Sequence, residues 1–191
     1  MNERQEQWES RYAAVDRLWS EQPNDWLPEF AAAWEPGRAL DLGCGEGADA
    51  VWLAERGWDV TGIDLSATAI ARMEAEADRR GLGERVHGVV LDVTREELPA
   101  GPFDLVAAFY VHGGPMPGSL DLIELLGRGA RLVAPGGRLL TAVHCVNPPW
   151  HGHHARTYTP DELLSGLAGA TRGWQIEAGR ERWREVTGPD G

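Results

Sequence analysis

Apolar positions along this chain switch between two spacings. Short apolar runs bounded by turn residues fall at Ala39–Leu42, Val60–Asp64, Val86–Leu91, Phe103–Phe109 and Arg138–Cys145, and predict buried strands. Between them the period lengthens to that of helices. One helix opens after the glycine turn at residues 43–47 and runs to about Arg56. A second starts at Ser66, a good N-cap, and stops before Gly81. A third covers Ser119 to Val133, with Leu122, Ile123, Leu125 and Leu126 as its core side. Pro135-Gly136-Gly137 reads as the turn before the fifth strand. Thr159-Pro160-Asp161-Glu162 spells a capping box with proline at the first helical position. Trp174 to Val186 predicts a sixth strand.

Upstream, Trp8, Tyr12, Val15 and Trp19 share one face of an N-terminal helix. That stripe serves equally to pack on the sheet or to cover a site. Pro23-Asn24 breaks the chain, and Trp26, Leu27, Phe30 and Trp34 line a second helix that Pro36-Gly37 ends. Alternating strands and helices predict an α/β fold, a doubly wound, mostly parallel Rossmann-like sheet. The expected organisation is a single domain over 1–191, with a helical lid at 1–36 and the core at 37–186.

Composition narrows the picture. The 191 residues suit one domain with a proper core, and 42% hydrophobic with 25% charged residues is ordinary for a globular protein. A net charge of −12 repels polyanions, which argues against nucleic acid as a partner. All 18 basic residues are arginine, as GC-rich coding favours. Cys44 and Cys145 make neither a metal-binding pair nor a disulfide framework, the first residues are charged, and no apolar run approaches a membrane span. A reduced, cytoplasmic protein, monomeric or homodimeric, is expected.

The candidate chemistry centres on Asp41-Leu42-Gly43-Cys44-Gly45-Glu46-Gly47-Ala48-Asp49. Gly43, Gly45 and Ala48 satisfy the permissive dinucleotide fingerprint, which leaves an NAD-dependent oxidoreductase open. Asp41 with Gly43, Gly45 and Gly47 satisfies D-x-G-x-G-x-G, the pattern of S-adenosylmethionine (SAM) enzymes. Charge separates the two. A pyrophosphate needs a helix N-terminus free of anions, whereas this turn carries Glu46 and Asp49 behind Asp41, with no basic residue until Arg56. Those carboxylates suit a cofactor bearing an ammonium and a sulfonium. Asp64, ending the second strand, stands where a carboxylate accepts from a ribose diol in either case. Asp92, beyond the third strand, can accept from an adenine amino group, with Val93 flanking the ring.

In open parallel sheets ligands sit outside the carboxyl ends of the strands. Phe109 and the run Tyr110-Val111-His112 leave the fourth strand there, so Tyr110 is expected to orient a methyl acceptor and His112 to serve as its base. His144, His151, His153 and His154 lie beyond the fifth strand with Trp150. Without a recognisable ligand pattern they read as pocket or surface residues rather than a metal site.

From Asp41 through Pro135-Gly136-Gly137 the chain resembles the class I SAM-dependent methyltransferases. Within them it is similar to the small bacterial tellurite-resistance and thiopurine-type enzymes. Leu40 to Gly47 matches the first motif, Asp64-Leu65-Ser66 the second and Asp92 the adenine-side acid. Trp8, Arg11, Tyr12, Trp19 and Pro23-Asn24 look like the cofactor lid of that subgroup. The resemblance implies methyl transfer from SAM to a small nucleophile bearing sulfur, selenium, tellurium, nitrogen or oxygen. It implies a cofactor site of Asp41, Gly43, Cys44, Gly45, Asp64, Leu65, Asp92, Val93 and Phe109, joined from the lid by Arg11 and Trp19. A SAM-binding regulatory protein without turnover would keep the same motifs. The family's sheet ordinarily closes with a sixth and an antiparallel seventh strand. Here Gly188-Pro189-Asp190-Gly191 stands where the seventh should begin, so the last antiparallel strand is expected to be missing.

Overall fold

Once the chain passes Gly37, strands and helices alternate except between the third and fourth strands, which no helix separates. The computed structural model describes residues 2–111, 113, 119–147 and 155–183. Its elements are α1 (Glu3–Ala13), α2 (Trp26–Ala31), β1 (Arg38–Leu42), α3 (Ala48–Ala54), β2 (Asp59–Asp64), α4 (Ala67–Arg79), β3 (Val86–Val90), β4 (Phe103–Phe109), α5 (Leu122–Ala130), β5 (Val133–Ala142) and α6 (Pro160–Leu167). The strands form one all-parallel sheet in the order β3-β2-β1-β4-β5. The order reverses between β1 and β4, and the crevice at that reversal is where such sheets bind ligands.

The pleat splits the core in two. Ala39, Leu105, Ala107 and Phe109 face α2, α3 and α4 with Leu27, Leu53, Trp58 and Met73. Leu40, Leu42, Val106 and Ala108 face the other way, onto Leu122, Leu125 and Leu126 of α5, Leu167 of α6 and Tyr158. Burial on both faces explains why the strands read as continuous apolar runs rather than as alternation. Ser66 caps α4 by accepting from Ala69 N at 3.1 Å, and Thr159 closes its capping box with Glu162. Among the described residues no helix is long and apolar enough to cross a membrane.

Three expectations need correction. First, α1 ends at Ala13, so Val15 and Trp19 lie beyond it on an irregular strap. Trp19 nevertheless stays with the stripe, its ring 6.5 Å from that of Trp8. Second, β5 begins at Val133 and ends at Ala142, so Pro135-Gly136-Gly137 lies inside the strand. Phe103 pairs with Val133 and Leu105 with Arg138, and the excess residues on β5 are thrown out as a bulge with Gly136 at φ 81°.

Third, residues 174–183 form no strand. Arg180 and Arg182 are both ion-paired to Glu29 of α2, with Arg182 4.1 Å over the Trp26 ring, while Glu177 reaches Arg138 at 3.4 Å. These contacts draw the segment across α2 instead of along the edge of β5. Residues 184–186 of the expected strand lie outside the described residues.

Candidate active site

The β1–α3 turn holds the site. Gly47 is the N-cap of α3 at φ 81°, and a β-carbon there would sit 2.1 Å from Met73 Cγ, so only glycine fits. Gly43, at φ 74°, would put a β-carbon 2.7 Å from Val111 Cγ2, which brings the turn against the end of β4. Gly45 lies beneath the lid: its β-carbon position is 3.2 Å from the Tyr12 hydroxyl and 3.3 Å from Trp19 Cδ1. The Trp19 indole donates to that hydroxyl at 2.9 Å, and burial pushes the Tyr12 phenol up so that it stays neutral. A stripe read from helical spacing thus meets the glycine turn even though half of it is not helical.

Asp41 sits at the floor of the turn, 2% exposed, with Oδ2 buried and unpartnered among the described residues. Burial drives its carboxyl well above the usual range, and the neighbouring carboxylates of Asp49 and Asp64 push the same way. Cys44 is raised for the same reasons, which makes it an inert thiol rather than a nucleophile. Asp64 accepts from Gly45 N at 3.0 Å and Ser66 N at 2.9 Å, tying the glycine turn to the start of α4. Its burial outweighs those bonds and raises its carboxyl. An orphaned buried acceptor flanked by two more acids, with no cation within the turn, fits a positively charged group.

Asp92 lies past the end of β3, buried and hydrogen-bonded through both oxygens. It accepts from Asn2 Nδ2 at 2.8 Å, Arg4 at 2.5 Å, Thr94 N at 3.0 Å and Thr94 Oγ1 at 2.6 Å. Burial opposes its ionisation, but the hydrogen bonds from Thr94 and Asn2 and the Arg4 charge hold its carboxyl below the usual range. The Leu65 carbonyl accepts from Gln5 Nε2 at 3.4 Å, and the Val93 carbonyl takes a hydrogen bond from Arg128. Arg11 stacks over Trp8, 4.4 Å from the ring centroid.

At the end of β4 Phe109 is buried, and Tyr110 adopts φ 52°, a left-handed backbone costing roughly 1–3 kcal/mol in a bulky residue. That turn sets its ring 4.6 Å from the ring of His144. Backbone hydrogen bonds from Arg156 to Gly113 and from Tyr158 to His144 gather the loops after β4 and β5 beside them. His112, Trp150, His151, His153 and His154 lie outside the described residues.

Acidic side chains that the sequence pattern did not tie to the N-terminal segment hold it over the turn. Glu46 is 2% exposed and accepts from Leu18 N and Trp19 N, both at 2.9 Å, and from Arg72 at 2.8 Å. Arg72 also donates to Val15 O at 2.7 Å. Asp49 accepts from Asn24 N at 2.7 Å and Asn24 Nδ2 at 2.5 Å, and Glu9 of α1 accepts from Ser66 Oγ at 2.6 Å and from Thr68. Glu46 and Asp49, read as part of a cationic-cofactor pocket, instead fasten residues 14–25 over the turn. Only their spacing around Gly47 hinted at a shared task.

Glu46→Ala leaves two strap amides and Arg72 without their acceptor. Breaking a buried ion pair costs about 3–5 kcal/mol, and because Arg72 is 27% exposed and resolvates, a smaller loss of roughly 2–3 kcal/mol is expected in urea unfolding. Hydrogen exchange should show the loosening confined to residues 14–25.

A family model described as "Methyltransferase domain" matches residues 39–137, just over half of the chain. The chain belongs to this family, the class I SAM-dependent methyltransferases. It is 32% identical to the ubiquinone biosynthesis O-methyltransferase of Alkalilimnicola ehrlichii over 79% of this chain and 58% of that protein. Among solved structures, the apo SAM-dependent methyltransferase SibL superposes with TM-score 0.68 at 24% identity, covering 91% of this chain and 58% of that one. The structure described as "Conversion of a Disulfide Bond into a Thioacetal Group during Echinomycin Biosynthesis" superposes with TM-score 0.65 at 26% identity, covering 92% and 81%. The chain spans 17% to 58% of the length of curated relatives that it matches.

Proposed function

We propose that this chain transfers the methyl group of SAM to a small-molecule nucleophile and releases S-adenosylhomocysteine (SAH). The carrying observation is Asp41, a fully buried carboxylate with an oxygen unpartnered among the described residues, beside two other acids at the β1 end of the sheet reversal. Such a group is costly unless a cation pairs with it. In this reading Asp41 meets the cofactor's ammonium side. Asp64, Leu65, Asp92 and Val93 hold its adenosine, and Gly43, Cys44 and Gly45 give the backbone close approach. Phe109 walls the site, and Tyr12 and Trp19, with Arg11 behind them, shield it from water.

Bound SAM supplies a methyl group on a sulfonium; its C–S bond breaks as the nucleophile's new bond to carbon forms. What remains for the protein is orientation and exclusion of water, worth about 7–11 kcal/mol when the geometry is right. Tyr110 and His144 form the wall on which the acceptor lies, and His112 takes a proton from an acceptor that must lose one.

We favour a hydroxyl acceptor, supported by the O-methyltransferase relative and by paired ring groups at the β4 and β5 ends. Sulfur is the second reading, supported by the neighbour described for conversion of a disulfide bond into a thioacetal group. SAH release across a panel of phenols, thiols, selenols and amines tests both. Turnover confined to phenols upholds the first reading, and turnover confined to thiols and selenols upholds the second. No turnover with any acceptor, alongside tight SAH binding, would point to a SAM-responsive regulatory protein.

His112→Ala should lower turnover of phenols about 100-fold while leaving SAH affinity unchanged, the usual scale of a lost general base. An unaffected rate removes His112 from the mechanism.

A further inference from the structure

The carboxylate assigned above to the cofactor's adenine already holds a donor from the first turn of α1 on each of its oxygens. An ionised carboxylate offers about four acceptor positions. At Asp92, Oδ1 accepts from Thr94 N and Thr94 Oγ1, in a local turn that also orders Asp92 N onto Glu96, and from Arg4, while Oδ2 accepts from Asn2 Nδ2. Arg95 stands 3.8 Å away as a further cation. The Thr94 bonds span two residues and belong to the loop itself. Those of Asn2 and Arg4 span about ninety residues and are the ones that can leave.

The same first turn also touches the neighbouring adenosine-side position, Gln5 donating to the Leu65 carbonyl. Further along α1, Glu9 on Ser66 and Thr68 and Tyr12 against Trp19 anchor the helix independently of Asp92. Release of the first turn therefore does not require α1 to detach. Asn2 is at once the N-cap, accepting from Gln5 N at 3.0 Å, and a donor to Asp92, so undocking it frays one turn and no more.

We propose that Asn2 and Arg4 compete with the cofactor's adenine amino group for Asp92, so that the first turn of α1 is a self-docked plug that adenosine binding displaces. Each binding event then works against an internal rival already in place, which weakens cofactor affinity and speeds product departure. The proposal rests on the reading of Asp92 as the adenine acceptor, and its test separates the two.

SAH binding is measured by calorimetry on the wild type, Asp92→Asn, Arg4→Ala and the double variant Asn2→Ser/Arg4→Ala, in which serine keeps a capping oxygen. Thermal unfolding checks that each variant retains its fold. Asp92→Asn should bind SAH about tenfold more weakly, and the double variant about tenfold more tightly. In the wild type, SAH should speed hydrogen exchange at the Gln5 and Glu6 amides, which Asn2 now holds.

Tighter binding by the double variant together with faster exchange establishes the plug. Equal or weaker binding by the double variant, with Asp92→Asn still impaired, overturns it and makes Asn2 and Arg4 supports of the adenine site. Unchanged affinity in Asp92→Asn overturns the adenine reading itself, and the plug with it.

Discussion

Asp41→Asn is expected to give a protein that melts at a higher temperature than the wild type yet binds SAH about 100-fold more weakly, a loss of roughly 2.7 kcal/mol. Both effects come from one oxygen. Asp41 Oδ2 is buried without a partner among the described residues, and Asp49 and Asp64 add like charge nearby. Its folded carboxyl titrates above the unfolded value, so the native state binds a proton more readily than the unfolded chain does. Stability from this group is therefore intact below the unfolded carboxylate pKa, near 3.9, and falls as pH rises toward the raised folded value. Asparagine removes the charge and hence the loss.

The expected gain near neutral pH is about 1–3 kcal/mol, the scale of an unsatisfied buried polar group, and each kcal/mol moves the midpoint by roughly 2–4 °C in a chain of this size. The gain should vanish below about pH 4. Cofactor affinity carries the complementary signature. Asp41 must release its proton to meet an ammonium, so SAH affinity should rise with pH through the raised Asp41 titration and then level off. Calorimetry in two buffers of different ionisation heat would count the proton released. A variant that binds SAH normally would dismiss Asp41 as the cation's partner.

Asp64→Ala should have the opposite effect on stability and a comparable effect on binding. Its two oxygens hold Gly45 N and Ser66 N, and alanine orphans both donors in a largely buried setting. A cost of about 1–3 kcal/mol is expected from urea unfolding. SAH affinity should fall about 100-fold or more, since the ribose acceptor is lost and the glycine turn loses its tie to α4 at the same time. Asp64→Asn separates the two contributions: an amide oxygen can still serve one backbone donor, so stability should recover more than affinity does. Unchanged SAH affinity in Asp64→Ala would remove the ribose assignment. The pair of aspartates is thus distinguished by sign. One is destabilising until a ligand arrives, and the other already works for the fold.

Sequence by itself determined the first five strands, the parallel sheet they form and the glycine turn. Buried parallel strands must be apolar on both faces, and the residues at Gly43 and Gly47 must tolerate left-handed backbone, so these features leave strong local traces. The caps at Ser66 and Thr159 were legible for the same reason, a short-range hydrogen bond with a fixed residue preference. The acid at Asp41 and its neighbour Asp64 could be singled out by position at the carboxyl end of a strand.

Tertiary structure alone decided what those acids touch. Glu46 and Asp49 carry charges that the sequence pattern assigned to the ligand. The fold gives them instead to the amides of Leu18, Trp19 and Asn24, over separations of some 25 residues that no local period reveals. Asp92 is likewise claimed by Asn2 and Arg4 from the far end of the chain. Helical spacing carried α1 past Ala13 on paper, because Val15 and Trp19 keep the apolar phase. The strap's contacts with Glu46 and Arg72 set its course instead. The alternation in Trp174 to Trp183 has the look of a strand, but Glu29 and Trp26 offer Arg180 and Arg182 a charged and aromatic seat that backbone pairing to β5 does not match. Local physics writes the elements into the sequence, and long-range electrostatic partners, which have no period, are settled only when the chain closes on itself.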